Sequence, residues 1–337
     1  MRERAAQELN PEMGRLGAED PSMAFSVEPP TRPQLAAPSR RTEWVGSAMV
    51  LISATAFGTI SILAKVAYRV GFDTYQLLAF RFVLATLGMT AVALVLGQNP
   101  LALERRLLAK LFALGVAVYT AQALTYFLAL RTLPASLCIL IVYVYPSLTV
   151  IAGWLVLRRA ITRWHAIALA SSLAGVLLLL GGARFTIAWA LVFAVASPLI
   201  YTAYILLGER LMSAAPAAAA SAVIFSGTAI AFCILAALTG HFALPPSQSG
   251  WLVGVAIAIV PTMVAISLFL AGLPRIGANR AALLSTWEPV VTVLLAVVLL
   301  GDRLSGIQVA GGVLVLLAVV TVQAAHLWRP GPHAVLK

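Results

Sequence analysis

Residues Leu273 to Val320 read LPRIGANRAALLSTWEPVVTVLLAVVLLGDRLSGIQVAGGVLVLLAVV. This stretch has the length and apolarity of two membrane-crossing helices joined at Gly301-Asp302-Arg303. Glu288-Pro289 falls near the middle of the first helix. A carboxylate inside an apolar helix is costly and indicates a functional site. The proline beside it removes a backbone donor, which predicts a kink.

A weaker copy of this stretch lies earlier in the chain, at Leu130–Leu180. When Leu130 is aligned with Leu273 without gaps, seven of the first 28 positions are identical, and Pro146 stands opposite Pro289. Positions paired by this alignment are called matched positions below. Apolar matches arise easily by chance in such a composition, so the match by itself is suggestive, and its value is that it predicts where the other helices should fall. The alignment therefore predicts two equivalent halves.

The whole chain is too apolar for a soluble globular protein. Of its 337 residues, 61% are hydrophobic and 10% are charged, and the mean hydropathy is +0.96. Several uncharged runs of about 20 residues match the roughly 30 Å hydrocarbon core of a bilayer. Helices are the open-chain structure that satisfies the backbone there. The sequence predicts an all-α integral membrane protein embedded in the lipid bilayer.

Hydropathy predicts ten transmembrane helices between two polar tails. Residues 1–43 are expected to be a disordered cytoplasmic arm without a cleavable secretory signal, with Met23 as an alternative start, and residues 328–337 a cytoplasmic tail. The predicted helices are Trp44–Ala64, Thr74–Leu96, Leu111–Leu130, Pro134–Leu157, Trp164–Gly181, Thr186–Gly208, Pro216–Thr239, Trp251–Leu273, Gly277–Leu300 and Ser305–Leu327.

Basic residues are unevenly divided between the loops predicted on the two sides of the membrane. With the N-terminus inside, 17 Lys and Arg residues fall on the inner side and five on the outer side. The positive-inside bias therefore places both termini in the cytoplasm. Five helices per half is an odd number, so the second half must insert upside down. The prediction is two inverted five-helix repeats, residues 44–183 and 184–327, an arrangement that surrounds a midplane substrate site in many secondary transporters.

Two charged residues, Glu288 and Arg81, are predicted at membrane depth. Glu288 can bind a substrate amine or carry a proton, or it can be a packing carboxylate bonded to a neighbouring helix. Arg81 can receive a substrate carboxylate bidentately, or it can bond backbone carbonyls and extend towards the surface. About 10 Å along the membrane normal separates their backbones, so a direct pair requires helix tilt. Both are assigned to a substrate or proton path.

A polar aromatic face is predicted on the third helix. Tyr119, Gln122 and Tyr126 follow the i, i+3, i+7 spacing of one helix face. Gln122 needs hydrogen-bond partners in hydrocarbon, so this face either lines a cavity or packs against another helix. Three further tyrosines on the fourth and sixth helices are weaker candidates for the same path: Tyr143, Tyr201 and Tyr204.

Pro146 and Pro289 are interpreted as gating kinks at matched positions. Each frees a backbone carbonyl and bends its helix near mid-depth, although a static kink is an equal alternative.

The chain resembles the drug/metabolite transporter superfamily, in its ten-helix branch with two EamA-type repeats. The resemblance covers residues 44–327 and implies export of small polar or amphipathic metabolites, amino acids among them, across the cytoplasmic membrane. Arg158-Arg159 departs from the usual Gly-Glu after the fourth helix, and Asp302 is the shorter acid after the ninth. The residues that carry the resemblance are Ala56-Phe57-Gly58, Phe80-Arg81-Phe82, Ala129-Leu130, Pro134-Ala135-Ser136, Tyr145-Pro146, Glu288-Pro289-Val290, Leu299-Leu300-Gly301 and Gly311.

Several function classes are excluded or disfavoured by the sequence. No Walker A loop or soluble domain is available to bind ATP. The net charge of +11 lies at helix ends and forms no nucleic-acid-binding face. Cys138 and Cys233 lie in apolar helices and are expected to be packing residues, and neither a cofactor nor a metal site is predicted.

The sequence therefore predicts a secondary transporter, an exporter of small solutes such as amino acids or drug-like molecules, working by alternating access. A homodimer is compatible with it. The alternatives are a non-transporting receptor or scaffold, which an inverted repeat disfavours, and a membrane enzyme. An enzyme would need a polar cluster near one surface, where the outer side offers only Asp73 and Asp302 as acids.

Overall fold

The computed structural model describes residues 40–157, 163–181 and 188–327, and within these ranges the chain is helical and contains no strand. Ten helical rods result when helices that continue through a π turn or a short break are counted together. They are α1 (Arg40–Gly58 and Ile60–Arg69), α2 (Thr74–Val95), α3 (Arg105–Leu114, Gly115–Tyr119 and Thr120–Thr132), α4 (Ala135–Val142 and Tyr145–Leu157), α5 (Arg163–Gly181), α6 (Ala188–Ser213), α7 (Ala217–Leu238), α8 (Gln248–Ala258, Ile259–Val264 and Ala265–Ile276), α9 (Ala278–Ser285, Trp287–Leu295 and Ala296–Leu300) and α10 (Gly306–Leu327).

Eight of these rods are long enough and apolar enough to cross a membrane. In the described parts of α5 and α10 the apolar helices are shorter, Ala166–Leu180 and Gly306–Val322. Large apolar side chains such as Leu177, Leu252 and Leu317 are exposed on the outer faces of the bundle, as expected where lipid is the solvent. The chain is an all-α, multi-pass membrane protein.

Some helices extend beyond their predicted ends. α3 begins at Arg105 instead of Leu111, because Arg and Lys are good helix formers and continue the helix past its apolar part. α1 begins at Arg40, before the predicted start at Trp44. The remainder of the predicted arm, residues 1–39, and the tail, residues 328–337, lie outside the described residues.

Two helices of the bundle contain an internal π-helical turn. These turns lie at corresponding places in the two halves, in α3 and in α8, while a third π turn forms the end of α9. Such turns are uncommon and are frequently found at functional sites. In both internal turns, a threonine hydroxyl donates to the carbonyl oxygen five residues earlier: Thr120 to Gly115 at 2.8 Å, and Thr262 to Ile257 at 3.1 Å.

Two other interruptions each come shortly before a proline. α4 is broken at residues 143–144, ahead of Pro146, and α9 is broken at Thr286, ahead of Pro289. The breaks match the kinks that the two prolines predict, and they lie at matched positions of the two halves.

The pattern of helix packing is also shared between the halves. α5 packs on α10, α2 on α7 and α4 on α9. α1 packs on α8 and α9, while α6 packs on α3 and α4. Exchanging every helix with the one five places later in the chain leaves this set of neighbours unchanged.

Close helix crossings depend on glycine. At the α5–α10 crossing, a Cβ on Gly311 would meet the Gly175 carbonyl oxygen at 2.6 Å, and one on Gly175 would meet the Gly311 carbonyl oxygen at 2.7 Å. Small residues allow backbones to approach in this way, which is how membrane helices associate without a hydrophobic driving force.

Polar contacts tie the helix junctions together at one end of the bundle. Arg131, in the last turn of α3, forms an ion pair with Asp73, before α2, at 2.9 Å. Asp302, between α9 and α10, accepts hydrogen bonds from the Ser136 amide at 3.0 Å and the Ser136 hydroxyl at 2.8 Å, and so caps the start of α4. Loops that the charge count assigns to the outer side therefore meet at one end.

The opposite end has its own polar contacts. Arg280, at the start of α9, pairs with Glu43, at the start of α1, at 3.2 Å. The Gln98 side chain accepts a hydrogen bond from the Ala218 amide of α7 at 3.2 Å. These residues belong to segments that the charge count assigns to the inner side, so the contacts at this end also follow the predicted grouping of the loops.

Candidate functional site

A cavity of about 310 Å³ lies between the two halves, lined by residues of α1, α2, α3, α4, α6, α8 and α9. It brings together most of the side chains predicted for the substrate or proton path. Those lining it are Arg81, Tyr119, Gln122, Tyr126, Tyr143, Tyr201 and Glu288.

Glu288 supplies the carboxyl group of the cavity. It lies just beyond the break in α9, and it is one of the residues that line the cavity. The Tyr143 hydroxyl donates a hydrogen bond to Glu288 Oε2 at 2.9 Å. In the part of the chain that the structure describes, Tyr143 is the one side chain hydrogen-bonded to this carboxyl group. The second carboxyl oxygen is thus available to a solute.

The same hydroxyl also reaches the backbone of α9. Tyr143 Oη lies 3.2 Å from the Ser285 carbonyl oxygen, to which it can donate. In a regular α-helix this carbonyl would accept from the amide of residue 289, but Pro289 has no N–H. The Tyr143 hydroxyl can therefore donate to a carbonyl oxygen that receives no backbone hydrogen bond from Pro289.

Arg81 supplies the positive charge of the cavity and is almost completely buried. Its Nε donates to the Thr262 hydroxyl at 3.1 Å, at the π turn of α8. Its guanidinium carbon lies 4.8 Å from the ring centroid of Phe82 and 5.5 Å from that of Phe127, within the range of cation–π attraction. Among the described residues, no ion pair joins Arg81 to Glu288, although both line the cavity. The terminal nitrogens of the guanidinium can therefore receive a carboxylate.

Tyrosine rings form one wall of the cavity. Tyr145 and Tyr201 have ring centroids 4.6 Å apart in an edge-to-face arrangement. Tyr204 does not line the cavity. Its ring lies behind the wall, 4.9 Å from Tyr119 and 6.0 Å from Tyr201. The predicted path residues thus divide into a lining set and this supporting ring.

The other polar residues on α3 make contacts with neighbouring helices. The Tyr126 and Ser61 hydroxyls lie 2.6 Å apart and share a hydrogen bond. Gln122 Nε2 donates to the Ser197 hydroxyl at 3.5 Å, a long contact. The face of α3 therefore both lines the cavity and packs against α1 and α6.

Sequence reasoning did not assign nine of the residues that line the cavity, among them Phe57, Tyr145, Phe269 and Ser285. Tyr145 is separated from Tyr143 by two positions, and in a regular helix two such residues point in different directions. The break at residues 143–144 brings both rings to one cavity. The proline following Tyr145 was the available signal, since it marks this part of α4 as irregular.

Comparison with known proteins identifies the family. Residues 44–181 and 188–323 each match the EamA-like transporter family. The chain belongs to this family. The resemblance read from the residue motifs is thereby confirmed, and the protein is a membrane transporter.

Curated relatives of this EamA-like protein are also named as transporters. The uncharacterized transporter YcbK of Bacillus subtilis is 27% identical over 283 residues, covering 79% of this chain and 88% of the relative. An uncharacterized transporter of Archaeoglobus fulgidus is 25% identical, covering 82% of this chain and 95% of the relative. A solved crystal structure shares the fold with a TM-score of 0.60 at 22% identity, covering 84% of this chain and 99% of the other.

Proposed function

We propose that this EamA-like protein is a secondary transporter that exports small metabolites, such as amino acids or drug-like solutes, across the cytoplasmic membrane. The observation that carries the proposal is the cavity between the two halves, where Glu288 and Arg81 offer opposite charges without pairing with each other. Charged groups at membrane depth are retained where they bind a solute or an ion.

The size and lining of the cavity support a particular kind of solute. Its volume of about 310 Å³ is at the lower end of the roughly 300–1,000 Å³ range of small-molecule sites. A guanidinium group binds an acidic group, a carboxylate binds a basic group, and tyrosine rings bind an apolar or aromatic body. Small amphipathic metabolites combine these features.

Alternating access explains how such a solute would cross. Residues 44–183 and 184–327 are proposed as inverted repeats with both termini in the cytoplasm. The unchanged packing pattern on exchange of the halves supports this arrangement, as do the matching π turns and helix breaks. Pro146 and Pro289 would let α4 and α9 bend as gates on either side of the cavity.

Transport by purified protein in proteoliposomes tests the proposal. Wild-type protein is expected to move at least one solute of a labelled panel of amino acids and small amphipathic drugs. Glu288→Gln and Arg81→Gln are each expected to lower the initial rate about tenfold or more, because charged hydrogen bonds contribute about 1.5–3 kcal/mol and about 1.4 kcal/mol is a tenfold change.

Two surface variants serve as matched controls. Glu104→Gln and Arg69→Gln make the same changes at exposed positions outside the cavity, and both are expected to transport at the wild-type rate. If no solute moves in either direction, the transport proposal fails and the receptor alternative is favoured. If solutes move equally well in both cavity variants, the protein is a transporter but its path lies elsewhere.

A further inference from the structure

The Tyr143 hydroxyl faces two acceptors with one hydrogen. Glu288 Oε2 lies 2.9 Å away and the Ser285 carbonyl oxygen lies 3.2 Å away. A phenol carries a single O–H donor, so it can make one strong bond to either acceptor at a time. The choice depends on whether Glu288 carries a proton.

The two protonation states of Glu288 require different hydrogen-bond directions. When Glu288 is ionised, both of its oxygens are acceptors, and the Tyr143 hydroxyl donates to it. When Glu288 is protonated, its own O–H can donate to the Tyr143 oxygen, and the tyrosine hydrogen is then free to point at Ser285. No covalent bond forms or breaks within the protein except that of the arriving proton to the carboxylate.

We propose that Tyr143 is a positioning residue that couples the protonation of Glu288 to the kink in α9. Proton binding turns the hydroxyl towards the Ser285 carbonyl, the acceptor that Pro289 cannot serve, and caps the kink. Proton release turns it back to Glu288 and leaves that carbonyl without this donor. The inference rests on the proposed transport function for its purpose, because the kink is there proposed to be a gate.

The surroundings of Glu288 favour this single connection. The other titratable or charged groups facing the cavity come from α2, α3, α4 and α6: Arg81, Tyr119, Tyr126, Tyr145 and Tyr201. Among the described hydrogen bonds, none of these five reaches the Glu288 carboxyl group. Tyr126 is bonded to Ser61, and Arg81 is bonded to Thr262. Phe57 and Phe269 line the cavity from α1 and α8 without titratable groups.

The matched position in the other half lacks such a connection. Thr286 is the residue matched to Tyr143, and its hydroxyl donates to the Leu283 carbonyl of its own helix at 2.7 Å. The kink in α4 is therefore not linked to an acid in this way. The proposed switch acts on one of the two kinked helices.

Solid-state NMR of the protein in lipid bilayers can observe the Ser285 carbonyl directly. Ser285-Thr286 is the only serine–threonine pair in the sequence. Labelling serine with ¹³C at the carbonyl and threonine with ¹⁵N therefore gives one carbonyl–nitrogen cross-peak. In wild-type protein this peak is expected to move downfield as the buffer is changed from alkaline to acidic, because the carbonyl gains a hydrogen bond.

Three variants separate a switch from a structural role. Glu288→Gln, whose amide can donate to the Tyr143 oxygen as a protonated acid does, is expected to fix the peak near its acidic position. Tyr143→Phe is expected to abolish the movement. Tyr145→Phe, a matched change in the same cavity at a tyrosine that does not bond Glu288, is expected to keep it.

The proposal is overturned if the wild-type peak does not move with pH, or if it moves in Glu288→Gln as it does in the wild type. It is also overturned by a wild-type response in Tyr143→Phe. If Tyr143→Phe does not fold, the first two results still decide. Since the measurement needs no solute, failure of the switch leaves the transport proposal standing, and absence of transport leaves an observed pH response unaltered.

Discussion

The kinked segments of α4 and α9 have equivalent backbones and different side chains. In α4, the Thr149 hydroxyl donates to the Tyr145 carbonyl at 2.8 Å. At the matched position in α9, the Thr292 hydroxyl lies 3.1 Å from the Glu288 carbonyl oxygen, to which it can donate, and 2.9 Å from the Gly58 carbonyl oxygen of α1. The residue whose carbonyl accepts this bond is thus a tyrosine in the first half and an acid in the second.

This difference separates the mechanical from the chemical part of the site. Both copies keep the break, the proline and the threonine bond, so the ability to bend belongs to the repeated backbone. The carboxyl group occurs in one copy, so the proton or solute chemistry that we propose at the kink is assigned to the second half. Arg81, on α2, supplies the opposite charge from the first half.

The largest expected effect comes from a difference between the two internal π turns. Gly115 begins the π turn of α3 and accepts the Thr120 hydrogen bond, whereas the acceptor of the corresponding Thr262 bond in α8 is Ile257, which has a large, fully buried side chain. A Cβ on Gly115 would overlap the backbone carbonyl of Ile224. Gly115→Ala is expected to destabilise the fold by about 1–3 kcal/mol, the cost of overpacking.

The loss can be measured as a lower Tm and a lower yield of monodisperse protein in detergent. Gly306→Ala is the control, because a Cβ there would meet nothing within 4 Å. Equal Tm values for the two variants would contradict the close approach of α3 and α7 at Gly115.

A smaller effect is expected from straightening each kink in turn. Pro289→Ala restores an amide that can bond the Ser285 carbonyl and displaces the Tyr143 hydroxyl from it. Pro146→Ala restores the corresponding amide in α4, where no acid is involved. The initial transport rate is expected to fall about tenfold in Pro289→Ala, because the free-energy difference between the two gate conformations would change by about the contribution of one hydrogen bond. The rate is expected to fall less in Pro146→Ala.

Rates should be normalised to the protein inserted in the vesicles, so that folding losses are not counted as slower transport. A larger loss in Pro146→Ala than in Pro289→Ala would reverse the assignment of the proton-linked kink to the second half.

The smallest expected effect compares the two threonines of the internal π turns. Thr262→Val removes the acceptor of Arg81 Nε, whereas Thr120→Val removes a hydroxyl that bonds backbone. Because one neutral hydrogen bond contributes about 0.5–1.5 kcal/mol, Thr262→Val is expected to raise the KM for acidic solutes a few-fold. Thr120→Val is expected to lower Tm with KM unchanged. Equal KM values for the two variants would show that Thr262 does not orient Arg81.

The apolar periodicity of the sequence, and the free-energy cost of placing a charge or a proline in a membrane helix, were sufficient to predict much of this architecture. Long apolar runs require helices in lipid, and the two prolines predicted where α4 and α9 are interrupted. Glu288 and Arg81 were found because a charge in an apolar helix is rare. These features are local, and a sequence displays local features directly.

The remaining features depend on contacts between distant parts of the chain. The bond from Tyr143 to Ser285 joins residues of two different halves. Tyr145 reaches the cavity because α4 breaks beside it, which a regular helical projection cannot represent. The π turns change which side chains face the cavity, and no residue type in the sequence indicates where such a turn occurs. The similar depths of Arg81 and Glu288 in the membrane were also not enough to predict whether the two side chains pair. In the structure, Arg81 is bonded to Thr262 instead of Glu288.

The cap that Asp302 places on Ser136 has a consequence for motion. It joins the segment after α9 to the first turn of α4. The two kinked helices are therefore held together at one end. Bending at either proline is then expected to move the opposite ends of the two helices, near Leu157 and Ala278, apart from each other more than the ends that are held together. Under the proposed export function, a solute would enter between those opposite ends.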